Sequence, residues 1–217
     1  MKQKLISLIH ATTKKDKLVL RILLAAFGVF TMGFGMSVLE KLNFGTDPYT
    51  CMNNGISLAS GGFISLGTAG LLVSAIMLIF VVIFDISGLG LGTVFNMVGF
   101  GYSIDLFRFI WGKVGFEGVQ NQAYRYILLV AMLAIFILAV SVYLAADLGS
   151  APYDALPVII SEKAKIRFVF VRMCWDICAV AIGFLLSSSV GITTLVCAFF
   201  VGPAAAVVRR AVDKMLA

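Results

Sequence analysis

Six stretches of this sequence reach or approach the length of a bilayer crossing: residues 20–39, 64–84, 91–111, 126–146, 168–187 and 192–212. A helix rises about 1.5 Å per residue, so roughly 20 apolar residues cross the hydrocarbon core. Nothing else in the chain limits its fold as tightly. A soluble domain of 217 residues could not hide six such runs from water, and only 13% of the residues are charged against 61% hydrophobic. The mean hydropathy of +1.04 agrees. The expectation is an all-α membrane protein with the lipid bilayer as its solvent. The third run carries Asp105 and Arg108 near its end, and the sixth contains Gly202-Pro203, which predicts a kink.

The start MKQKLISLIHATTKKDK does not read as a signal peptide, because the run LISLI is too short and charge resumes straight after it. Residues 1–18 are expected to be a basic, amphipathic cytoplasmic segment. With the N-terminus inside, Lys2, Lys4, Lys14, Lys15, Lys17, Arg21, Lys163, Lys165, Arg167, Arg209, Arg210 and Lys214 fall on the cytoplasmic side. Lys41, Arg108, Lys113 and Arg125 fall outside. That asymmetry predicts both termini in the cytoplasm. It also accounts for the net charge of +6 without nucleic acid as a partner. The four cysteines, Cys51, Cys174, Cys178 and Cys197, are expected to be small apolar packers. Cys174 and Cys178, four apart on one helix, cannot form a standard disulfide. With His10 as the sole histidine, neither a metal site nor a cofactor is expected.

Two polar interruptions resemble each other: Phe44-Gly-Thr-Asp-Pro-Tyr-Thr50 and Leu148-Gly-Ser-Ala-Pro-Tyr-Asp154. Pro48 and Pro152 stand 104 residues apart, and the same offset pairs Arg21 with Arg125, Gly45 with Gly149, Thr46 with Ser150 and Tyr49 with Tyr153. Farther on, Gly90-Leu-Gly-Thr93 matches Gly191-Ile-Thr-Thr194 and Gly101 matches Gly202, at an offset of 101. The chain therefore reads as two copies of one unit, 19–112 and 125–217, joined by a loop at 113–124. Three spans per copy force the second copy to enter the membrane from the opposite side. The expected architecture is six transmembrane helices in two inverted three-helix repeats, each with a short Pro-initiated half-helix.

Each interruption reads as a helix start. Gly45 or Gly149 turns the backbone, Thr46, Asp47 or Ser150 can cap free N–H groups, and Pro suits the first turn. The helix that each one opens has room for about three turns, too few to span. Such a half-helix presents a partial positive charge and unpaired donors at its N-terminus. Two readings stay open: a pair of re-entrant segments framing a central site, or interfacial corners that link spans. Asp47 and Asp154 can be helix caps or first-turn acids, or can hold a cation or proton.

Arg172 and Asp176 lie one turn apart inside the fifth run, where charge is costly. They either pin that helix to the bundle or meet a substrate; Arg172 is also close enough to the run's start to snorkel. Asp105 and Arg108 read as an interfacial structural pair, and Asn96 with Gly99 and Gly101 as a packing surface. Gly88-Leu-Gly-Leu-Gly-Thr93 fails the dinucleotide-loop pattern where Thr93 stands, and no Walker A, HExxH or GxSxG sequence is present. No enzyme is expected.

Gly45 to Tyr49, Ser65-Leu-Gly67-Thr68, Gly90-Leu-Gly-Thr93, Gly149-x-x-Pro152-Tyr-Asp154, Arg167-x-x-x-x-Arg172-x-x-x-Asp176 and Gly191-x-x-Thr194 running to Gly202-Pro203 together resemble the YczE/YyaS/YitT-type bacterial membrane proteins, the YczE branch above all. The resemblance covers about residues 20–210. It departs from the family pattern where Asp176 stands for a common Glu, and where Thr50 stands for a common Asp. It implies a six-span, multi-pass protein of the bacterial plasma membrane and no settled substrate.

Two functions remain in view. One is a small secondary transporter or facilitator of an anionic or zwitterionic metabolite, a small-molecule solute held by Thr46, Asp47, Tyr49, Ser150, Tyr153, Asp154, Arg172 and Asp176 between the half-helix starts. The other is a membrane scaffold or regulator that acts through a partner. A homodimer is compatible with so short a chain, and nothing in the sequence calls for one.

Overall fold

The computed structural model describes residues 18–201, and all regular structure among them is helical. The expected basic segment, apart from Leu18, lies outside the described residues. So do Gly202-Pro203 and the rest of the sixth run.

The helices follow the apolar runs. Helix α1 spans Leu18–Lys41, α3 Leu66–Phe84, α4 Leu91–Val114, α5 Gln122–Ala145 and α7 Phe168–Leu185. Between them lie two short helices, α2 at Pro48–Ala59 and α6 at Pro152–Ala164. At 12 and 13 residues they are about 20 Å long, well short of a ~30 Å hydrocarbon core. Helix α8, Ile192–Val196, begins the last run and passes into a π-helical turn at Cys197–Val201. Among the described residues four helices, α1, α3, α5 and α7, are long and apolar enough to cross a membrane. Helix α4 has the length, but Asp105, Arg108 and Lys113 dilute its second half.

The outer faces are greasy, unlike those of a water-soluble protein, around a core that is itself built on Met36, Leu39, Phe100 and Phe136. Ser37, Asn53, Ser74, Ser141 and Thr193 are buried, while Leu72, Ile76, Ile79 and Ile83 on α3 and Ile127, Val130 and Leu138 on α5 face outward. Polar groups are gathered inside, and the greasy faces are left for a solvent that is itself apolar. Cys51 and Cys197 are buried as expected. Cys174 and Cys178 are exposed on the outer face of α7, so they do not pack the interior.

Helix α1 packs most extensively against α5 and α4, and each short helix lies against both α3 and α7, one from its own half and one from the other. Arg21 at the start of α1 donates to the Ala146 carbonyl just past α5 (3.2 Å), and Arg125 at the start of α5 donates to the Leu42 carbonyl just past α1 (2.6 Å). Start meets end at both places, so α1 and α5 run antiparallel. Arg21 and Arg125 are equivalent under the 104-residue offset, as are Leu42 and Ala146. Each arginine supplies a donor and a positive charge to carbonyls at the other helix's C-terminus.

A second reciprocal contact joins the halves. Gly92 N–H donates to the Leu148 carbonyl (2.7 Å), and Thr193 N–H donates to the Phe44 carbonyl (2.9 Å). Within each Gly-x-x-Thr the threonine hydroxyl accepts from the glycine N–H, Thr93 from Gly90 at 3.1 Å and Thr194 from Gly191 at 3.2 Å. Gly45 and Gly149 sit at φ +80° and +99°, where only glycine is at ease, and a Cβ on either would strike the Gly-x-x-Thr backbone opposite. The Asp105–Arg108 pair also ties helices together. Asp105 Oδ2 accepts from Gly67 N–H at the start of α3 (2.8 Å), and Arg108 forks onto Glu40 of α1 and reaches Asn54 of α2 (2.9 Å).

Candidate functional site

Asp47 caps α2. Its Oδ2 accepts from Thr50 N–H at 3.1 Å. At α6 the capping position is held by Ala151, so Ser150 does not cap that helix. Ser150 instead uses its backbone, donating to Gly88 O (3.1 Å) and accepting from the Thr93 hydroxyl (2.8 Å). Thr46 is buried in the linking turn.

The starts of α2 and α6 face each other across the interior. The rings of Tyr49 and Tyr153, both one residue past the helix-initiating proline, lie 5.0 Å apart between centroids. Each hydroxyl then reaches the second long helix of its own half. Tyr49 Oη donates to the Gly70 carbonyl (2.8 Å) and lies 2.6 Å from Ser74 Oγ; Tyr153 Oη donates to Asp176 Oδ1 (2.6 Å).

Arg172 is engaged by this arrangement through two of its three nitrogens. Its Nε donates to Asp176 Oδ2 (2.9 Å), its NH1 to Asp154 Oδ1 (2.6 Å), and its guanidinium lies over the Tyr153 ring at 5.2 Å. Asp176 is 1% exposed. A carboxylate so deep is tolerated because a cation and a phenol both donate to it.

Between the half-helix starts lies a cavity of about 90 Å³, lined by Asp47, Pro48 and Tyr49 from the first and Ala151, Tyr153 and Asp154 from the second, with Arg172 alongside. Thr46 and Ser150 do not line it, and Asp176 stands behind Arg172, out of its wall. Helices α1, α4 and α5 close the remaining walls with Met32, Asn96, Phe100, Phe136 and Tyr143, and Cys197 contributes from the π-helical turn. The hydroxyl of Tyr143 donates to the Gly92 and Gly149 carbonyls (3.2 and 3.1 Å), fixing the ring beside the reciprocal latch.

Asn96, Phe100, Phe136 and Tyr143 were not among the residues the sequence singled out for the site. Asn96 read there as a packing residue, yet it faces the cavity and makes no side-chain hydrogen bond among the described residues. The one available signal was an asparagine in the middle of an apolar run with no neighbour in sequence to bond. The second carboxylate oxygen of Asp47, Oδ1, is also buried without a partner there.

With every acid ionised, three carboxylates surround one guanidinium. The two helix starts return about half a positive charge each, which leaves roughly one negative charge in excess. Among the described residues no group of His, Cys, Asp and Glu is arranged to hold a metal.

The family DUF6198, described as a family of unknown function, matches residues 19–210. The uncharacterized membrane protein YczE of Bacillus subtilis is 25% identical over 191 residues, which cover 87% of this chain and 85% of that one. An uncharacterized protein of Haemophilus influenzae is 30% identical over 182 residues, 83% of this chain and 78% of that one. No solved structure matches the chain.

Proposed function

The chain belongs to the DUF6198 family of membrane proteins, and on that footing we propose that it is a small secondary transporter or facilitator whose solute passes through the cavity between the two half-helix starts. The observation that carries this reading is the convergence of α2 and α6, two helices too short to cross, on one cavity walled by charged and aromatic side chains inside the bundle. Irregular backbone and charge at membrane depth are costly and are kept where a polar path uses them. A scaffold gains nothing from leaving such a space unfilled.

The finer architecture belongs to the same proposal: six spans in two inverted repeats, with both termini cytoplasmic in a bacterial plasma membrane. In its favour, the equivalent helices α1 and α5 are antiparallel, and the Arg–carbonyl and Gly-x-x-Thr contacts recur under the offsets that relate the two halves. Alternating access would then be a rocking of one half against the other about the cavity. Arg172 is engaged by two carboxylates, whose two negative charges outweigh its one positive charge toward an anion. A zwitterion or a cation therefore suits the site better than a simple anion. Binding and passage, rather than bond-making, is the proposed activity.

Cys197 lines the cavity and serves as a native reporter. In a variant that keeps Cys197 and carries Ser at Cys51, Cys174 and Cys178, a small membrane-impermeant methanethiosulfonate is applied to oriented vesicles from one side at a time. Labelling from both sides is expected. Labelling from one side only, or from neither, would mean that no path runs through the cavity, and a partner-dependent scaffold would take its place.

A further inference from the structure

The central cavity offers its occupant unusually specific chemistry. Two polar side chains that line it have bonding capacity left over: Asp47, 9% exposed, whose Oδ2 caps α2 while its Oδ1 is unbonded, and Asn96, 8% exposed, whose amide is unbonded among the described residues. A buried carboxylate oxygen left empty costs free energy unless a donor or a cation completes it. The other acid on the wall, Asp154, is already paired with Arg172. The rest of the wall is aromatic, from Tyr49, Phe100, Phe136, Tyr143 and Tyr153. Aromatic faces are the negative ends of ring quadrupoles and attract cations, organic ammonium ions above all.

From these groups we infer that the cavity binds a small protonated amine of the alkylammonium class, its N–H groups donating to the Asp47 carboxylate and the Asn96 carbonyl oxygen and its carbon against the rings. The inference rests on the reading of the cavity as a solute site. One positive charge balances the excess negative charge of the four ionised side chains and two helix starts. An anion would meet the Asp47 carboxylate, while the charge of Arg172 is already opposed by Asp154 and Asp176. An inorganic cation prefers a shell of several oxygens, whereas this wall supplies one half-used carboxylate, one unpartnered amide and five rings. The volume of about 90 Å³ admits a molecule of a few heavy atoms.

The probe is methylammonium, measured at equilibrium on the full chain in lipid nanodiscs. Trp175, whose ring lies 6.0 Å from that of Tyr153, reports by fluorescence once Trp111 is replaced by Phe; radiolabelled methylammonium gives an independent reading. Saturable binding is expected, displaced by ethylammonium and not by acetate, sodium or potassium at equal concentration. Asp47→Asn keeps an acceptor able to cap α2, so the fold is retained while the charge is lost. It should weaken binding by about tenfold or more, the scale of one charge-assisted hydrogen bond. Asn96→Leu should weaken it severalfold, and Phe136→Leu should do so without touching a polar group.

Absence of saturable methylammonium binding by the folded chain would overturn the inference. So would an affinity unchanged by Asp47→Asn, or displacement by sodium or potassium as effective as that by ethylammonium. The two proposals fail separately. Methylammonium binding with Cys197 reactive from one side only would leave the amine site standing and remove passage. Two-sided reactivity without methylammonium binding would do the reverse.

Discussion

Replacing Arg172 by Met tests the arrangement that holds the site together. Among the described residues the guanidinium is the sole cation bonded to Asp176, whose side chain is 2% exposed, at 2.9 Å. Met has similar bulk, so packing is largely kept. The substitution leaves a buried carboxylate whose remaining donor is the Tyr153 hydroxyl at 2.6 Å. Breaking a buried ion pair from one side costs about 3–5 kcal/mol, because the surviving charge is stranded. The arm to Asp154 adds little, since that side chain is 43% exposed and an exposed pair contributes under about 1 kcal/mol. The expected loss in unfolding free energy for Arg172→Met is therefore about 3–5 kcal/mol, nearly all of it through Asp176. Adding Asp176→Asn removes the stranded charge while leaving an acceptor for Tyr153. The double variant should recover at least half of the loss, a coupling of about 2 kcal/mol. SDS titration of the protein in mixed micelles, followed by near-ultraviolet circular dichroism, measures all four corners of the cycle. A single-variant loss under about 1 kcal/mol, or losses that simply add in the double variant, would refute the argument that Arg172 exists to neutralise Asp176.

Substitutions at four further positions probe the contacts between the halves. Gly149→Ala forces a Cβ into a left-handed residue pressed on the Gly90 backbone; a loss of about 2 kcal/mol or more is expected, seen as a depressed thermal midpoint in detergent, and Gly45→Ala should behave alike. Tyr143→Phe removes bonds to two carbonyls without changing volume; about 1–2 kcal/mol should be lost, and a neutral result would show that the hydroxyl does not brace the latch. Arg125→Gln deprives the end of α1 of its charged donor, at a cost of about 1 kcal/mol for a part-buried bond, which Arg125→Lys should partly restore; thermal midpoints of the three proteins check it.

Much of this architecture was readable from local pattern. The apolar runs placed α1, α3, α5 and α7 to within a few residues, because a bilayer-length stretch needs no tertiary context to become a helix. Pro48 and Pro152 marked the starts of α2 and α6, and Asp47 stood where a cap belongs. The spacing of Arg172 and Asp176 announced their ion pair. What local pattern could not supply was direction across the bundle. Nothing in the neighbourhood of Asn96, Phe136 or Tyr143 says which face of α4 or α5 turns toward the half-helices. Matching Thr46 with Ser150 suggested a shared role in the site, yet Ser150 acts through its backbone and Thr46 is buried in the turn. Arginines 21 and 125 entered the repeat as matching letters, and their partners, Ala146 and Leu42, became visible once the two helices lay side by side.

The reciprocal latch sets a timetable for the chain's own manufacture. The Phe44 carbonyl is bonded by the N–H of Thr193, which is made 149 residues later. At about 5–20 residues per second, that is on the order of ten to thirty seconds of synthesis. Through that interval the first half waits in the membrane with the acceptor of one half-helix turn unmet and the groove for its counterpart open. Neither half finishes its structure from its own residues, so a ribosome that stalls before Gly191 leaves a product that inserts but cannot settle. Two separately encoded halves, made in the same cell, would be expected to find each other for the same reason.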